Sequence, residues 1–445
     1  MGVLMQAFYW DCPREEGQEK AWWPFVASKL PELAEAGVTA LWLPPASKAA
    51  NIGGMSMGYD VYDYWDLGDH DQKGSRKTWY GCEAELRELI TNAHGHGMKV
   101  YADLVLNHCS GADERELNPM TGETQWTKFK PKSGRFTRDW RCFDPSPYSD
   151  GAQVRFGGLP DLCHINPRVS TNLLNYAKWL IQDVGYDGFR YDFVKGFASW
   201  IVRAIHERTY RRDGKKVPLF AVAEVWDGGH LITEWLDSVN RWATQHVSAF
   251  DFPLRYRLKD MCDTFGYSLR NLANGGVLAH DRPLNAVTFV DNHDFRGNCD
   301  GNEIENDKLL AYAYILTHEG YPCVYWKDYF RYCLGQPGQK TGIAALVRAH
   351  EAYAAGATAN LWVDDVFYAM QRRGDDCHPG LVFGLNNSGE TQTRPLTSGF
   401  AGKTLRPVAW GARSAGVVTP ITPDADGAFS LTIAPRSYIV LGPES

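Results

Sequence analysis

DGFRYDFVKG, residues 187–196, decides how the rest of the chain is read. A short amphipathic, helix-like segment precedes it. GFRYDF is a run of strand length, and a glycine-bearing turn closes it. Side chains on a strand alternate between faces, so Arg190 and Asp192 point the same way. A fixed cation then stands beside a carboxylate at the C-terminal end of a strand, lowering its pKa and keeping it ionised near neutral pH. At the mouth of a barrel strand, an oriented, ionised carboxylate is what a covalent nucleophile requires. Taken alone, the R-x-D pattern also fits a plain structural ion pair. The other strand ends decide between the two.

Working outward in both directions, apolar strands alternate with amphipathic helices. Strand-like runs are VLMQAFYW (3–10), VTALWLP (38–44), MKVYADLV (98–105), GFRYDF, PLFAVAEV (218–225), HVSAFDF (246–252), NAVTFVDNHD (285–294) and GYPCVYW (320–326). Helical spacing is read over 22–35, 83–97, 167–183, 197–211, 231–243, onward from 252 to about 274, 303–318 and 338–355. Eight strands and about eight helices in parallel β/α units predict an α/β protein built on a closed (β/α)8 barrel. No G-x-G-x-x-G follows the first strand, which weakens a dinucleotide fold. The rhythm breaks at 109–166, a polar, Gly/Pro/Asp/Arg-rich stretch expected to be an insertion subdomain after strand three. The barrel is thus expected over 1–108 and 167–356. Short runs such as VFYAM, GLVFGL and SYIVLG predict a C-terminal antiparallel β-domain over 357–445.

Composition narrows the function. The chain has 445 residues, 44% hydrophobic and 22% charged, enough for a large core. A net charge of −7 argues against nucleic acid and anionic membranes as partners. No run approaches the ~18 apolar residues of a membrane span. Val3–Trp10 lacks a basic n-region and a cleavage site, so it reads as a first strand. A cytoplasmic protein or a secreted mature form is expected. The 16 Trp and 22 Tyr supply flat faces with polar edges that suit sugar rings. Ten cysteines are scattered without a C-x-x-C pair, so neither a zinc ribbon nor a redox motif is indicated.

Four strand ends carry polar clusters. Strand three ends in Asp103, Asn107 and His108, strand four in Arg190 and Asp192, strand five in Glu224, and strand seven in Asp291, Asn292, His293 and Asp294. Acids inside apolar runs are expensive to bury unless paired or functional. Glu224, flanked by Ala, Val and Trp226, should have a raised pKa and is the candidate general acid. Asp192, held by Arg190, is the candidate nucleophile. Asp294 is a second anion able to bind sugar hydroxyls, with His108 and His293 as hydroxyl donors. Two carboxyls in acid and nucleophile roles describe retaining glycoside hydrolysis.

The blocks DLVLNH, GFRYDFVKG, AEVW and FVDNHD resemble, in order, the four signature regions of the α-amylase family of glycoside hydrolases. LPDLCHINP (159–167) is similar to that family's fifth region, and QAFYW, GYDVYDYWDLGDHDQKG and PRVSTNLL resemble plant-type and bacterial members. The resemblance spans essentially the whole chain. It implies Asp192 as nucleophile, Glu224 as acid/base and Asp294 as transition-state stabiliser. It places Arg190, His108 and His293 around the cleaved-bond sugar, Tyr59 stacking on that sugar and Lys195 on the leaving side. It implies a structural Ca²⁺ held by Asn107, Asp161 and the Gly196 carbonyl, with a further acid, Asp150 or Asp144, from the insertion. Two departures stand out: Cys163 where an acid is common, and a short insertion.

The expected activity is endo-hydrolysis of α-1,4-glucans such as starch, glycogen and maltodextrins, by a monomer. Alternatives are a maltooligosaccharide-forming or glucan-transferring member and a non-catalytic glucan-binding relative. An unrelated phosphate-binding or metal-dependent barrel is disfavoured: no glycine-rich phosphate loop follows strands seven or eight, and no histidine cluster suggests a catalytic metal.

Overall fold

The computed structural model describes residues 2–12, 21–51, 56–149, 156–241, 243, 245–295, 302–412 and 418–444. Eight strands form a closed parallel barrel: β1 (Leu4–Gln6), β2 (Ala40–Leu43), β3 (Lys99–Leu104), β4 (Gly188–Tyr191), β5 (Phe220–Ala223), β6 (Ser248–Phe250), β7 (Ala286–Phe289) and β8 (Tyr321–Tyr325). Each strand pairs with its sequence neighbours, and β1 closes the ring against β8. Around it lie α1 (Trp22–Ala36), α2 (Glu83–Gly95), α3 (Pro167–Trp179), α4 (Trp200–His206), α5 (Gly229–Asn240), α6 (Phe252–Asp263), α7 (Lys308–Ile315) and α8 (Gly342–Tyr353).

The strands read as unbroken apolar runs because both faces are covered, one by the barrel interior and one by helices. β2, ALWL, is buried at every position. Local chemistry sets the helix ends. Gly37 stops α1 in the left-handed conformation (φ 99°), its N–H bonded to the Ala34 carbonyl at 3.0 Å. Asn166 opens α3 by accepting the Arg168 N–H at 2.9 Å, with Pro167 in the first turn.

Some elements are shorter than their periodicity suggests. Only Leu4–Gln6 of the first run is a paired strand; the chain beyond Gln6 leaves the sheet. The helix read over 303–318 begins at Lys308, since Asp307 is left-handed (φ 46°) and cannot lie within it. α6 ends at Asp263, and a 3-10 turn, Leu269–Ala273, replaces its expected continuation. Within 109–166 the structure has a hairpin, Glu114–Asn118 with Glu123–Lys128. Its strands carry charged and polar residues at most positions, so no apolar period marked them. The bridge His108↔Asp161 ties this region to the segment just after β3, and Phe143↔Leu162 joins two stretches within it.

After α8 comes a five-stranded antiparallel sheet with an accompanying two-stranded one, Gln392–Thr397 with Ala428–Ile433. Phe367, Val382, Leu405, Leu431 and Leu441 are among its core residues. Arg436 anchors it to the barrel by an ion pair with Asp307 at 2.6 Å. No helix among the described residues is long and apolar enough to cross a membrane.

Candidate active site

Strand register brings the acids together. Asp103 on β3 pairs with Arg190 on β4, and Arg190 pairs with Val222 on β5. Two residues past Arg190 is Asp192, and two past Val222 is Glu224, so period two turns all four polar side chains to the same mouth. Arg190, 1% exposed, is the centre. Its Nη1 donates to Asp103 Oδ1 at 2.9 Å and Asp192 Oδ1 at 2.8 Å, and its Nη2 lies 2.8 Å from Glu224 Oε2. The planar fork of a guanidinium presents separate nitrogens to these carboxylates, Nη1 to Asp103 and Asp192 and Nη2 to Glu224.

Glu224 Oε2 accepts a second bond, 2.8 Å long, from the Phe193 N–H. Phe193 is held in the left-handed region (φ 42°, ψ 48°), a conformation costly for a bulky residue and found where the surroundings enforce it. Both bonds fall on Oε2, which leaves Oε1 as the oxygen to carry a proton. Burial pushes the Glu224 carboxyl up to about 8, and Asp192 and Asp294 add to that against the pull of Arg190. For Asp192 the same balance differs from the sequence expectation. Arg190 does hold its carboxyl down, but burial outweighs that and, with Asp103 and Asp294, raises it to about 7. Asp103 is raised by burial to about 6. The order matters more than the levels: Glu224 takes a proton before Asp192 does, as acid and nucleophile require.

The sugar-facing residues are placed as follows. Tyr59 donates its hydroxyl to Asp103 Oδ2 at 2.9 Å, and its ring stacks on His293 with centroids 5.1 Å apart and 8° between planes. Gln6 Nε2 is 2.9 Å from His293 Nδ1. An amide nitrogen can only donate, so the imidazole proton sits on Nε2, which faces Asp294 Oδ2 at 3.5 Å. His108 donates from Nε2 to the Tyr59 carbonyl at 2.8 Å, and burial lowers its pKa, favouring the neutral ring. Lys195 sits at the rim. Its ammonium is 3.0 Å from the Trp226 carbonyl and 2.9 Å from Asp227, so it bridges the β4 and β5 loops as it stands. The cleft measures about 690 Å³, with Trp10, Tyr59, Phe156 and Trp226 among its walls and Asp192, Glu224 and Asp294 in its lining.

Sequence reasoning gave Asp103, Gln6, Trp10 and Phe156 no role. Gln6 and Asp103 did leave a signal, a lone polar side chain in an apolar strand. The 45%-exposed Phe156, stacked on His108 at 4.7 Å, left none, because its loop has no period.

Two oxygen clusters bear on metal binding. One side-chain atom of Asn107 faces both the Gly196 carbonyl oxygen at 2.7 Å and Asp161 Oδ1 at 3.1 Å. With the amide nitrogen there it donates to both. With the oxygen there, three oxygens converge, a donor set that suits a hard cation such as Ca²⁺. Gly196 must be glycine for this approach: a Cβ would stand 2.2 Å from Asn107 Oδ1 and 2.6 Å from the Phe193 ring. Asp144 lies alongside, its N–H bonded to the Asp161 carbonyl at 2.9 Å. Asp150 falls outside the described residues. The second cluster, Asp291, Glu303 and Asp328, has carboxylate oxygens within 4.8 Å of one another, close enough to hold a metal ion.

The chain is similar to several known proteins. A family model described as "Alpha amylase, catalytic domain" matches residues 17–329. An alpha-amylase of Geobacillus stearothermophilus is 34% identical over 415 residues, covering 80% of this chain and 71% of that protein. A glucan 1,4-alpha-maltohexaosidase of Bacillus sp. (strain 707) is 32% identical over 429 residues, 85% of this chain and 80% of that protein. A cytoplasmic alpha-amylase of Escherichia coli (strain K12) is 30% identical, with 91% and 92% covered. For the fold, a crystal structure of an alpha-amylase from Geobacillus thermoleovorans, complexed with acarbose, superposes with a TM-score of 0.69 at 22% identity, covering 100% of this chain and 98% of that one.

Proposed function

The chain belongs to the α-amylase family and is a glycoside hydrolase, and from that premise we propose that Asp192, Glu224 and Asp294 cleave internal α-1,4 bonds of glucans with retention. The observation that carries this is the single guanidinium shared by Asp103, Asp192 and Glu224. Two carboxyls within one hydrogen bond of the same planar group favour the ~5 Å separation of retaining enzymes over the wider gap, about 6.5–9.5 Å, that leaves room for an attacking water.

In the first step Glu224 Oε1 gives its proton to the glycosidic oxygen while Asp192 Oδ2 attacks the anomeric carbon. The bond to the leaving chain breaks, and a glycosyl ester of Asp192 forms. Asp192 Oδ1 stays on Arg190, which fixes the rotamer that points Oδ2 outward. In the second step Glu224, now ionised, takes a proton from water, whose oxygen displaces Asp192. Asp294 and the Nε2–H of His293 meet the sugar hydroxyls, and the stacked Tyr59 supplies an apolar wall for the ring. Lys195 extends the site on the leaving side once it exchanges Asp227 for a sugar hydroxyl. Ca²⁺ on Asn107, Asp161 and the Gly196 carbonyl, with Asp144 or Asp150 completing the set, would fasten the 109–166 region to the turn after β4 and take no part in bond cleavage. The substrate is an α-1,4-glucan polymer or maltodextrin, acted on by a monomer.

Soluble starch tests the reading: reducing ends should rise as iodine staining falls early, the mark of internal cleavage. If neither changes, or if Glu224→Gln works as well as the wild type, the assignment fails. Because one relative carries the name of a maltohexaose-forming enzyme, maltoheptaose digestion with product chromatography is the assay that separates random cleavage from a fixed product length and from transfer.

A further inference from the structure

Lys308, the first residue of α7, is 8% exposed. Its ammonium lies 2.7 Å from Asp328 Oδ1, 2.9 Å from Asp291 Oδ2 and 3.0 Å from Glu303 Oε1. An ammonium has three protons, and here each has a carboxylate of its own. These are the same three acids whose spacing would admit a metal ion. The protein has filled that space with a cation from its own chain.

Two of the acids are also held from their other side. The second oxygen of Asp328 accepts the Tyr312 hydroxyl at 2.6 Å. Asp291 Oδ1 pairs with the buried Arg255, and Asp291 Oδ2 takes the Ile304 N–H at 3.1 Å. Arg255 reaches further, donating to the Val290 carbonyl at 3.1 Å. Next in the chain is Asn292, whose side-chain oxygen accepts the Asp294 N–H at 2.9 Å. The segment from Val290 to Asp294 is therefore held from outside at 290 and 291, and the Asn292 turn carries that hold on to the backbone of Asp294, the cleft acid.

We infer that Lys308 is a positioning residue for Asp294: its ammonium neutralises the three-carboxylate pocket and so fixes the segment that carries Asp294 into the cleft. The inference rests on the role proposed above for Asp294. Without the ammonium, three acids confront one another with only Arg255 on Asp291 and Lys327 near Glu303 to offset them. Either protonation or separation relieves them, and separation moves Asp291 and the peptide attached to it. A displacement of about 1 Å at a catalytic group can cost on the order of 100-fold in rate.

The test compares Lys308→Met, Lys308→Arg, Lys308→Ala and Asp294→Asn on maltoheptaose. Lys308→Met should lower kcat by about tenfold or more with KM held within about threefold, the pattern of an interaction felt in the transition state. Lys308→Arg, which keeps a cation, should retain more activity than Lys308→Met. Lys308→Ala should regain kcat when n-propylammonium is added and not with n-propanol. A cavity of about 480 Å³ bordered by Glu303, Lys308 and Tyr332 gives the amine a route. Should Lys308→Met fail to fold, Lys308→Ala prepared with the amine present gives the same readout. The inference is overturned if Lys308→Met keeps the wild-type kcat, or if the amine restores the melting temperature and leaves kcat low. If instead Asp294→Asn is fully active, the role of Asp294 is what falls.

Discussion

Three buried histidines should each oppose folding on acidification, against the opposite contribution of the raised carboxyls of Glu224, Asp192 and Asp103. His206, His350 and His318 are 0%, 1% and 4% exposed. His206 ends α4 with Nε2 3.0 Å from the Tyr191 hydroxyl. His318 stacks on Tyr314 at 3.7 Å and meets the Tyr368 hydroxyl of the C-terminal sheet at 2.9 Å. His350, on α8, bonds the Leu316 carbonyl at 3.1 Å. Burial lowers His206 from the ordinary 6.5 to about 3 and His350 to about 4, and it holds His318 well below that ordinary value. In the unfolded chain all three take up protons below 6.5; in the folded chain they stay neutral. Their contribution is therefore complete above 6.5 and is lost as pH falls, because the unfolded state binds the extra protons. For His206 and His350 at about pH 5 the gap is roughly 1.5 pKa units, or about 2 kcal/mol each. For those two together that is about 4 kcal/mol, a sizeable part of the 5–15 kcal/mol that typically separates folded from unfolded protein, and His318 adds to it in the same direction. Chemical denaturation followed by circular dichroism at fixed ionic strength, in steps from about pH 7.5 to about pH 5, reads the net slope, and the difference between wild type and a histidine variant isolates the histidine from the raised carboxyls. In His206→Gln, whose amide can still meet the Tyr191 hydroxyl, the slope below 6.5 should fall by about 1.4 kcal/mol per pH unit. An unchanged slope in that variant would refute the argument, whatever its stability at neutral pH.

Glu224→Gln should lose about 10²- to 10⁴-fold in kcat, as expected when a general acid is removed. In the wild type, kcat/KM should be bell-shaped: Glu224 must be protonated, so the rate falls as pH rises through about 8, and Asp192 must be ionised, so it falls as pH drops through about 7. A profile flat well beyond pH 8 would contradict the burial argument for Glu224. Gly196→Ala places a methyl 2.2 Å from Asn107 Oδ1, and should lower stability by about 1–3 kcal/mol through overpacking. It should also abolish the response of the melting temperature to calcium. Chelator should lower the wild-type melting temperature and leave Gly196→Ala unmoved; equal sensitivity in both would remove Asn107 and Gly196 from the metal site.

The sequence by itself determined the barrel and the identity of its acids. Apolar runs such as ALWL and FAVA are unbroken because a parallel strand is covered on both faces, and that requirement is visible without coordinates. Arg190 beside Asp192, Glu224 within AVAEVW and Asp294 within FVDNHD were legible for the opposite reason: a charge in such a run is too costly to be accidental. What linear order could not show was which acids share a cation. Asp103 and Glu224 lie 121 positions apart, and only the registers of β3 on β4 and β4 on β5 set them on one guanidinium. The net effect on Asp192 followed from the same closure, since burial and two neighbouring carboxylates outweigh the arginine that the R-x-D spacing reveals. Lys308 was hidden more completely. In sequence it is one lysine near the start of a helix; only the packing of α7 against the ends of β7 and β8 puts its ammonium among Asp291, Glu303 and Asp328. Periodicity records whether a side chain is buried, whereas long-range charge pairing is set by how the elements close on one another.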